Sequence, residues 1–89
     1  MTENPESPLQ FPCEFPVKAF GLAGPDFDAL VVGIIRRHVA GLGEGAVTSR
    51  PSAGGKYIAV TVTLTAESRE QLDAIYRDLS AHPAVIMAL

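Results

Sequence analysis

From Lys56 to the end, the chain reads as strand, helix and strand in immediate succession. Ile58, Val60, Val62 and Leu64 alternate with Tyr57, Ala59, Thr61 and Thr63. One side of this run is apolar and the other small or polar, which is the period of a half-buried β-strand. Ser68 follows, then Leu72, Ile75, Tyr76 and Leu79 at helical spacing. Ser68 with Gln71 three residues on is a capping-box pattern. His82-Pro83 ends the helix, because a residue before proline disfavours the α-conformation. A last apolar run, Ala84 to Leu89, gives a closing strand.

The first half repeats this order. A strand is predicted from about Glu14 to Gly21, with Phe15, Val17 and Ala19 on one side and Glu14, Lys18 and Phe20 on the other. Pro12 and Pro16 lack the amide hydrogen a fully paired strand needs. Gly21-Leu22-Ala23-Gly24-Pro25 turns the chain. A helix follows over roughly Asp26 to Ala40, with Phe27, Leu30, Val31, Ile34 and His38 on one stripe. The spacing puts acids at its start and Arg36 and Arg37 at its end, as the helix dipole favours. Three glycines in Gly41 to Gly45 stop it. A short strand at Ala46 to Arg50 meets Pro51, which marks a sheet edge.

The order is β-α-β-β-α-β. Each strand–helix–strand crossover joins parallel strands of one sheet. Two crossovers linked by a hairpin give a ferredoxin-like α+β sandwich: a four-stranded antiparallel sheet with two helices on one face. The first and third strands should be central. Residues 11–89 form this domain. Residues 1–10, with Pro5 and Pro8 and no apolar period, read as a flexible tail.

Composition excludes several functions. There is one cysteine, Cys13, so no internal disulfide, which suits a reducing, cytoplasmic setting. No apolar run approaches the ~20 residues that span a membrane. The net charge is −3, from ten acids and seven bases. The bases are dispersed, which argues against nucleic acid. So does the third strand, which offers Ala59, Thr61 and Thr63 where RNA-binding sheets carry aromatics. Two histidines and one cysteine, far apart, make no metal-binding spacing. Cys13 beside Glu14 lacks a partner that would make it a nucleophile, and His38 is read as part of a helix end. No cofactor and no enzymatic activity are expected.

Two features remain as candidate sites. Ser52-Ala53-Gly54-Gly55-Lys56 could contact an anion through glycine amides and the flanking Arg50 and Lys56, although a hairpin explains the glycines more simply. The sheet face turned from the helices should carry Phe20, Tyr57, Ile86 and Ala88, a patch suited to contact with another chain.

Several phrases resemble the YbeD family of small bacterial proteins. They are Phe11-Pro12 with Phe15-Pro16-Val17-Lys18 and Gly21, Arg37-His38, Ser49-Arg50-Pro51-Ser52 with Gly54-Gly55-Lys56-Tyr57, and Val85 to Leu89. The likeness covers about residues 10–89. It implies a fold close to ACT regulatory domains and a family without an established biochemical activity. It also implies that the Gly24-Pro25 turn matches one that lines effector sites in ACT domains. In the family pattern a Lys or Arg stands where this chain has Ile86. The expected role is a small regulatory or adaptor domain, acting on a protein partner with a small-molecule effector as a further candidate. A plain homo-oligomerisation module, a weak homodimer, is the alternative.

Deleting residues 1–9 should leave a cooperative thermal transition. Its loss, followed by circular dichroism, would show that the tail packs on the domain.

Overall fold

A computed structural model describes residues 10–89; the tail of residues 1–9 lies outside them. The order is β1 (Cys13–Leu22), α1 (Phe27–Arg36), a short 3-10 turn (Glu44–Ala46), β2 (Val47–Pro51), β3 (Tyr57–Ala66), α2 (Arg69–Ala81) and β4 (Val85–Ala88). The sheet order is β2-β3-β1-β4, and every adjacent pair is antiparallel. This is the ferredoxin-like arrangement, with β1 and β3 central as expected. The parallel partners of each crossover are not neighbours. β3 lies between β1 and β2, and β1 between β3 and β4.

The core forms where period-two strands meet helical stripes. Val17 and Ala19 of β1, Val60, Val62, Leu64 and Ala66 of β3 and Val85 of β4 are buried. They pack with Phe27, Val31, Ile34 and Ile35 of α1 and with Leu72, Ile75 and Leu79 of α2. Phe15, Leu30 and Ile58, on the same apolar sides of β1, α1 and β3, are only partly buried and pack against its margin. No described helix is long and apolar enough to cross a membrane.

α1 ends earlier than expected. After Arg36 the last turn tightens: the Arg37 amide donates to the Ile34 carbonyl, and the His38 and Val39 amides both donate to that of Ile35. Gly41 then adopts a positive φ of 72°, which favours glycine. α2 is capped as its sequence indicates, Ser68 Oγ accepting the Gln71 amide at 3.1 Å. The reciprocal bond differs from the capping box. Gln71 Oε1 accepts from the Glu67 amide, and its Nε2 donates to the His38 carbonyl at 2.8 Å. One side chain therefore ties the start of α2 to the end of α1. The Arg69–Asp73 and Asp73–Arg77 spacings suit surface pairs, but neither closes; the one contact between basic and acidic side chains among the described residues is the hydrogen bond of His38 Nε2 with Asp78 Oδ2, at 2.7 Å.

The clearest departure is in β4. Ala88 pairs with Ala19 and Met87 with Phe20, but Gly21 pairs with Val85. β4 thus spends two steps where β1 takes one, and Ile86 is the extra residue of a β-bulge. The bulge reverses the expected alternation beyond it. Met87, which strict alternation from Val85 would bury, lies on the open face and is 51% exposed. Ala88, expected on the open face, packs against the core instead. Gly21 makes the irregularity feasible. A Cβ there would collide with the Phe27 ring and lie 2.6 Å from the Ala84 carbonyl oxygen.

Two substitutions test this packing by chemical denaturation. Val62→Ala should cost about 1–2.5 kcal/mol, through lost burial and a cavity. Gly21→Ala should cost about 1–3 kcal/mol, because Phe27 or the start of β4 must move. Wild-type stability in the Gly21→Ala variant would show that this approach is not tight.

Candidate functional site: the open face of the sheet

Both helices cover one side of the sheet, so alternate residues of every strand are left on the other. The registers align them in rows. Arg50 lies opposite Ala59, Ala59 opposite Phe20, and Phe20 opposite Met87. In the next row Thr48 faces Thr61 and Thr61 faces Lys18. Backbone bonds of 2.8 and 2.9 Å between Lys18 and Leu89 extend this row past β4. Toward the other end, Leu22 faces Tyr57.

The face has two chemically distinct halves. Toward β4 and the Leu22–Tyr57 end of the central strands it is apolar. Leu22, Tyr57, Ile86, Met87 and Leu89 are the exposed large hydrophobic side chains among the described residues, and all belong to this face or the bulge at its border. Phe20 lies among them, half-buried. Of the residues expected there, Tyr57 and Ile86 are exposed and Phe20 is half-buried, Ala88 turns to the core, and Leu22, Met87 and Leu89 add exposed apolar surface.

Over β2 and β3 the face is a shallow hollow of about 530 Å³, lined by Lys18, Phe20, Thr48, Arg50, Ala59 and Thr61 together with Ser49. Its shape follows from side-chain size. Ala59 and Thr61 are short and form the floor, while Arg50 and Phe20 rise on either side of Ala59. No Asp or Glu lines it, although acids outnumber bases in the chain. The alternation of β1 already turned Lys18 outward, but its convergence with Arg50 depends on the pairing of three strands.

The two loop candidates come together at one end of the sheet. The Ala23 amide donates to the Lys56 carbonyl at 2.9 Å, so the Gly24-Pro25 turn lies next to the 52–56 connection. That connection is a hairpin turn that uses its own polar groups. The Ser52 amide donates to the Tyr57 carbonyl, the Gly55 amide to the Ser52 carbonyl, and the Tyr57 amide to Ser52 Oγ. Gly55 takes the positive φ, 72°, that the turn requires. Those three amides are thus withdrawn from any anion. Gly54 and Lys56 are exposed, and Lys56 Nζ lies 5.5 Å from the centre of the Tyr57 ring, a cation–π distance. Arg50 belongs to the open face, not to this turn.

The remaining polar candidates hold the fold together. His38 bonds Asp78 and so clasps α1 to α2. His82 Nδ1 accepts the Ala84 amide at 3.0 Å and shapes the turn into β4. Cys13 lies opposite Ala66 and packs half-buried against the core. A second hollow, of about 620 Å³, lies along residues 38–46 and is bordered by Glu14, Thr63, Glu67 and Gln71. Its His38 and Gln71 are engaged in helix-to-helix bonds.

Comparison with known proteins agrees with this architecture. A family described as a protein of unknown function, DUF493, matches residues 6–89, starting within the segment read as a tail. A UPF0250 protein of Paraburkholderia phymatum is 46% identical over 84 residues, covering 94% of each chain. A UPF0250 protein of Neisseria gonorrhoeae is 40% identical over 87 residues, covering 98% of this chain and 96% of that one. The solution structure of protein HP0495 from H. pylori superposes with a TM-score of 0.68 over 100% of this chain and 98% of its own, at 10% identity, a likeness of fold. With its YbeD-like motifs and its match over nearly the whole length, the chain belongs to the DUF493/UPF0250 family of small bacterial proteins.

Proposed function

We propose that this protein is a small cytoplasmic adaptor or regulatory domain that acts by binding another protein through the open face of its sheet, without catalysis. One observation carries the reading: among the described residues, the exposed large apolar side chains gather on the open face and at the bulge on its border. Scattered single hydrophobics are ordinary on a surface, whereas a contiguous group with a polar border is characteristic of contact sites. The binding reading is also favoured by His38 and His82, whose hydrogen bonds serve the scaffold. A small-molecule effector at Gly24, Pro25 and the neighbouring hairpin would fit the same role by altering the end of the sheet that holds Leu22 and Tyr57.

The rival reading is a homo-oligomerisation module using the same patch. Burying one side chain such as Ile86 contributes about 1.5–3 kcal/mol, and a two-fold contact repeats it. Association costs on the order of 4–15 kcal/mol, so self-contact through these residues alone would be weak.

A photo-crosslinking amino acid in place of Met87, compared with one in place of Arg69 on α2, tests the reading in the native host. Covalent capture of a different protein from Met87 and none from Arg69 is the expected result. Capture of a second copy alone, with a concentration-dependent dimer in sedimentation that Ile86→Lys abolishes, would replace it with the rival. No capture from Met87 would overturn both.

A further inference from the structure

We infer that the partner surface recognised by the open face is acidic as well as apolar: a protein segment whose carboxylate sits between Lys18 and Arg50 while a neighbouring aliphatic or aromatic side chain rests on Phe20 and Met87. The inference rests on the docking reading above and adds the chemistry of the partner.

Charge complementarity carries it. Lys18 and Arg50 bring two formal positive charges to a hollow without a carboxylate, in a chain whose net charge is −3. Their strands flank β3, so β1 and β2 are two strand spacings apart, about 10 Å. They are one row apart as well, since Arg50 borders Ala59 and Lys18 borders Thr61. Both side chains are long enough to lean over that interval, and the Thr48 and Thr61 hydroxyls offer further donors. An oxyanion above Ala59 and Thr61 is therefore approached by cations from two sides. An arginine can also grip a carboxylate through two parallel bonds.

The apolar half fixes the rest of the chemistry. In the row Arg50–Ala59–Phe20–Met87, the floor of the hollow and the Met87 side chain are two strand spacings apart, again about 10 Å. The partner must present its acid and its apolar group at that separation. A polypeptide surface does this readily. An isolated small molecule fits less well, because it would have to span both halves of the face to meet Lys18 and Arg50 as well as Met87. Nucleic acid is disfavoured on the same face. Single-strand binders stack successive bases on aromatic side chains along a continuous basic groove. Here the neighbours of Phe20 in its row are Ala59 and Met87, and Lys18 and Arg50 alone do not make a continuous groove.

The test is amide chemical-shift mapping on the full chain with three probes: a short disordered peptide of Glu, Leu and Ser, its counterpart with every Glu replaced by Lys, and an oligothymidylate. The acidic peptide should shift the amides of Lys18, Phe20, Arg50, Ala59 and Thr61, and should weaken as salt is raised. The combined Lys18→Glu and Arg50→Glu variant, with an unchanged circular dichroism spectrum, should bind it about tenfold more weakly or less tightly still, because opposed charges become like charges. Lys18→Arg should keep wild-type affinity, and so should Arg69→Glu on α2. The inference is overturned if the acidic peptide does not bind, if it binds the double variant equally, if the Lys peptide binds as well, or if the oligonucleotide displaces it from these residues. Capture from Met87 alongside failure of the acidic peptide would refute the proposed chemistry alone and leave the docking reading intact.

Discussion

The ten-residue antiparallel ladder between β1 and β3, from Cys13 opposite Ala66 to Leu22 opposite Tyr57, sets the geometry of everything else. Successive side chains leave a strand on opposite faces, so a one-residue slip of this pairing would exchange its two sides. The present register aligns Val17 with Val62 and Ala19 with Val60 on the helix side. The same register leaves Lys18 beside Thr61 and Phe20 beside Ala59 on the open side. Core and candidate site are therefore two consequences of one alignment. Both outer strands attach to this central pair, β2 to β3 and β4 to β1, and they inherit its division into faces.

Much of this was readable from local patterns. The alternation from Tyr57 to Thr65 and the cap at Ser68 each act within a few residues, and each appears where the sequence indicates. The errors arise where a distant contact decides. Period two continued through β4 would bury Met87, but the bulge at Ile86 turns Met87 outward and Ala88 inward. Nothing in Val85-Ile86-Met87-Ala88 announces this. What accommodates it lies far away in sequence, at Gly21, which has no side chain to collide with Phe27 and the Ala84 carbonyl. α1 likewise keeps its apolar stripe but ends in a tightened turn. There Gln71 and Asp78 of α2 hold His38, and neither contact is visible from α1 alone.

The site shows the same division. The outward direction of Phe20 and Tyr57 follows from strand period, and so does that of Lys18. The association of Lys18 with Arg50 does not, since it requires β2 to pair with β3 in one register and β3 with β1 in another. The Ser52–Lys56 segment reads more simply as a hairpin than as an anion loop, and the structure makes it a hairpin. Its glycines and lysine are compatible with an anion loop when read alone, but the bonds among Ser52, Gly55 and Tyr57 close it as a hairpin turn. The cationic character thereby moves from the turn to the sheet face, where Arg50 is the residue common to both readings.

An open sheet can recruit a partner by its face or by its edges, and here the edges are blunted. β2 ends in Pro51, which has no amide hydrogen to donate. β4 has four residues and carries the Ile86 bulge, and short or bulged strands make poor templates for strand addition. The face has neither defect. Its backbone groups are already paired within the sheet, so contact there exchanges side-chain hydration for side-chain contact without leaving amides unsatisfied. The bulge that weakens the β4 edge is also what turns Met87 onto the face beside Phe20. One irregularity thus lowers the capacity for edge pairing and extends the apolar half of the open face.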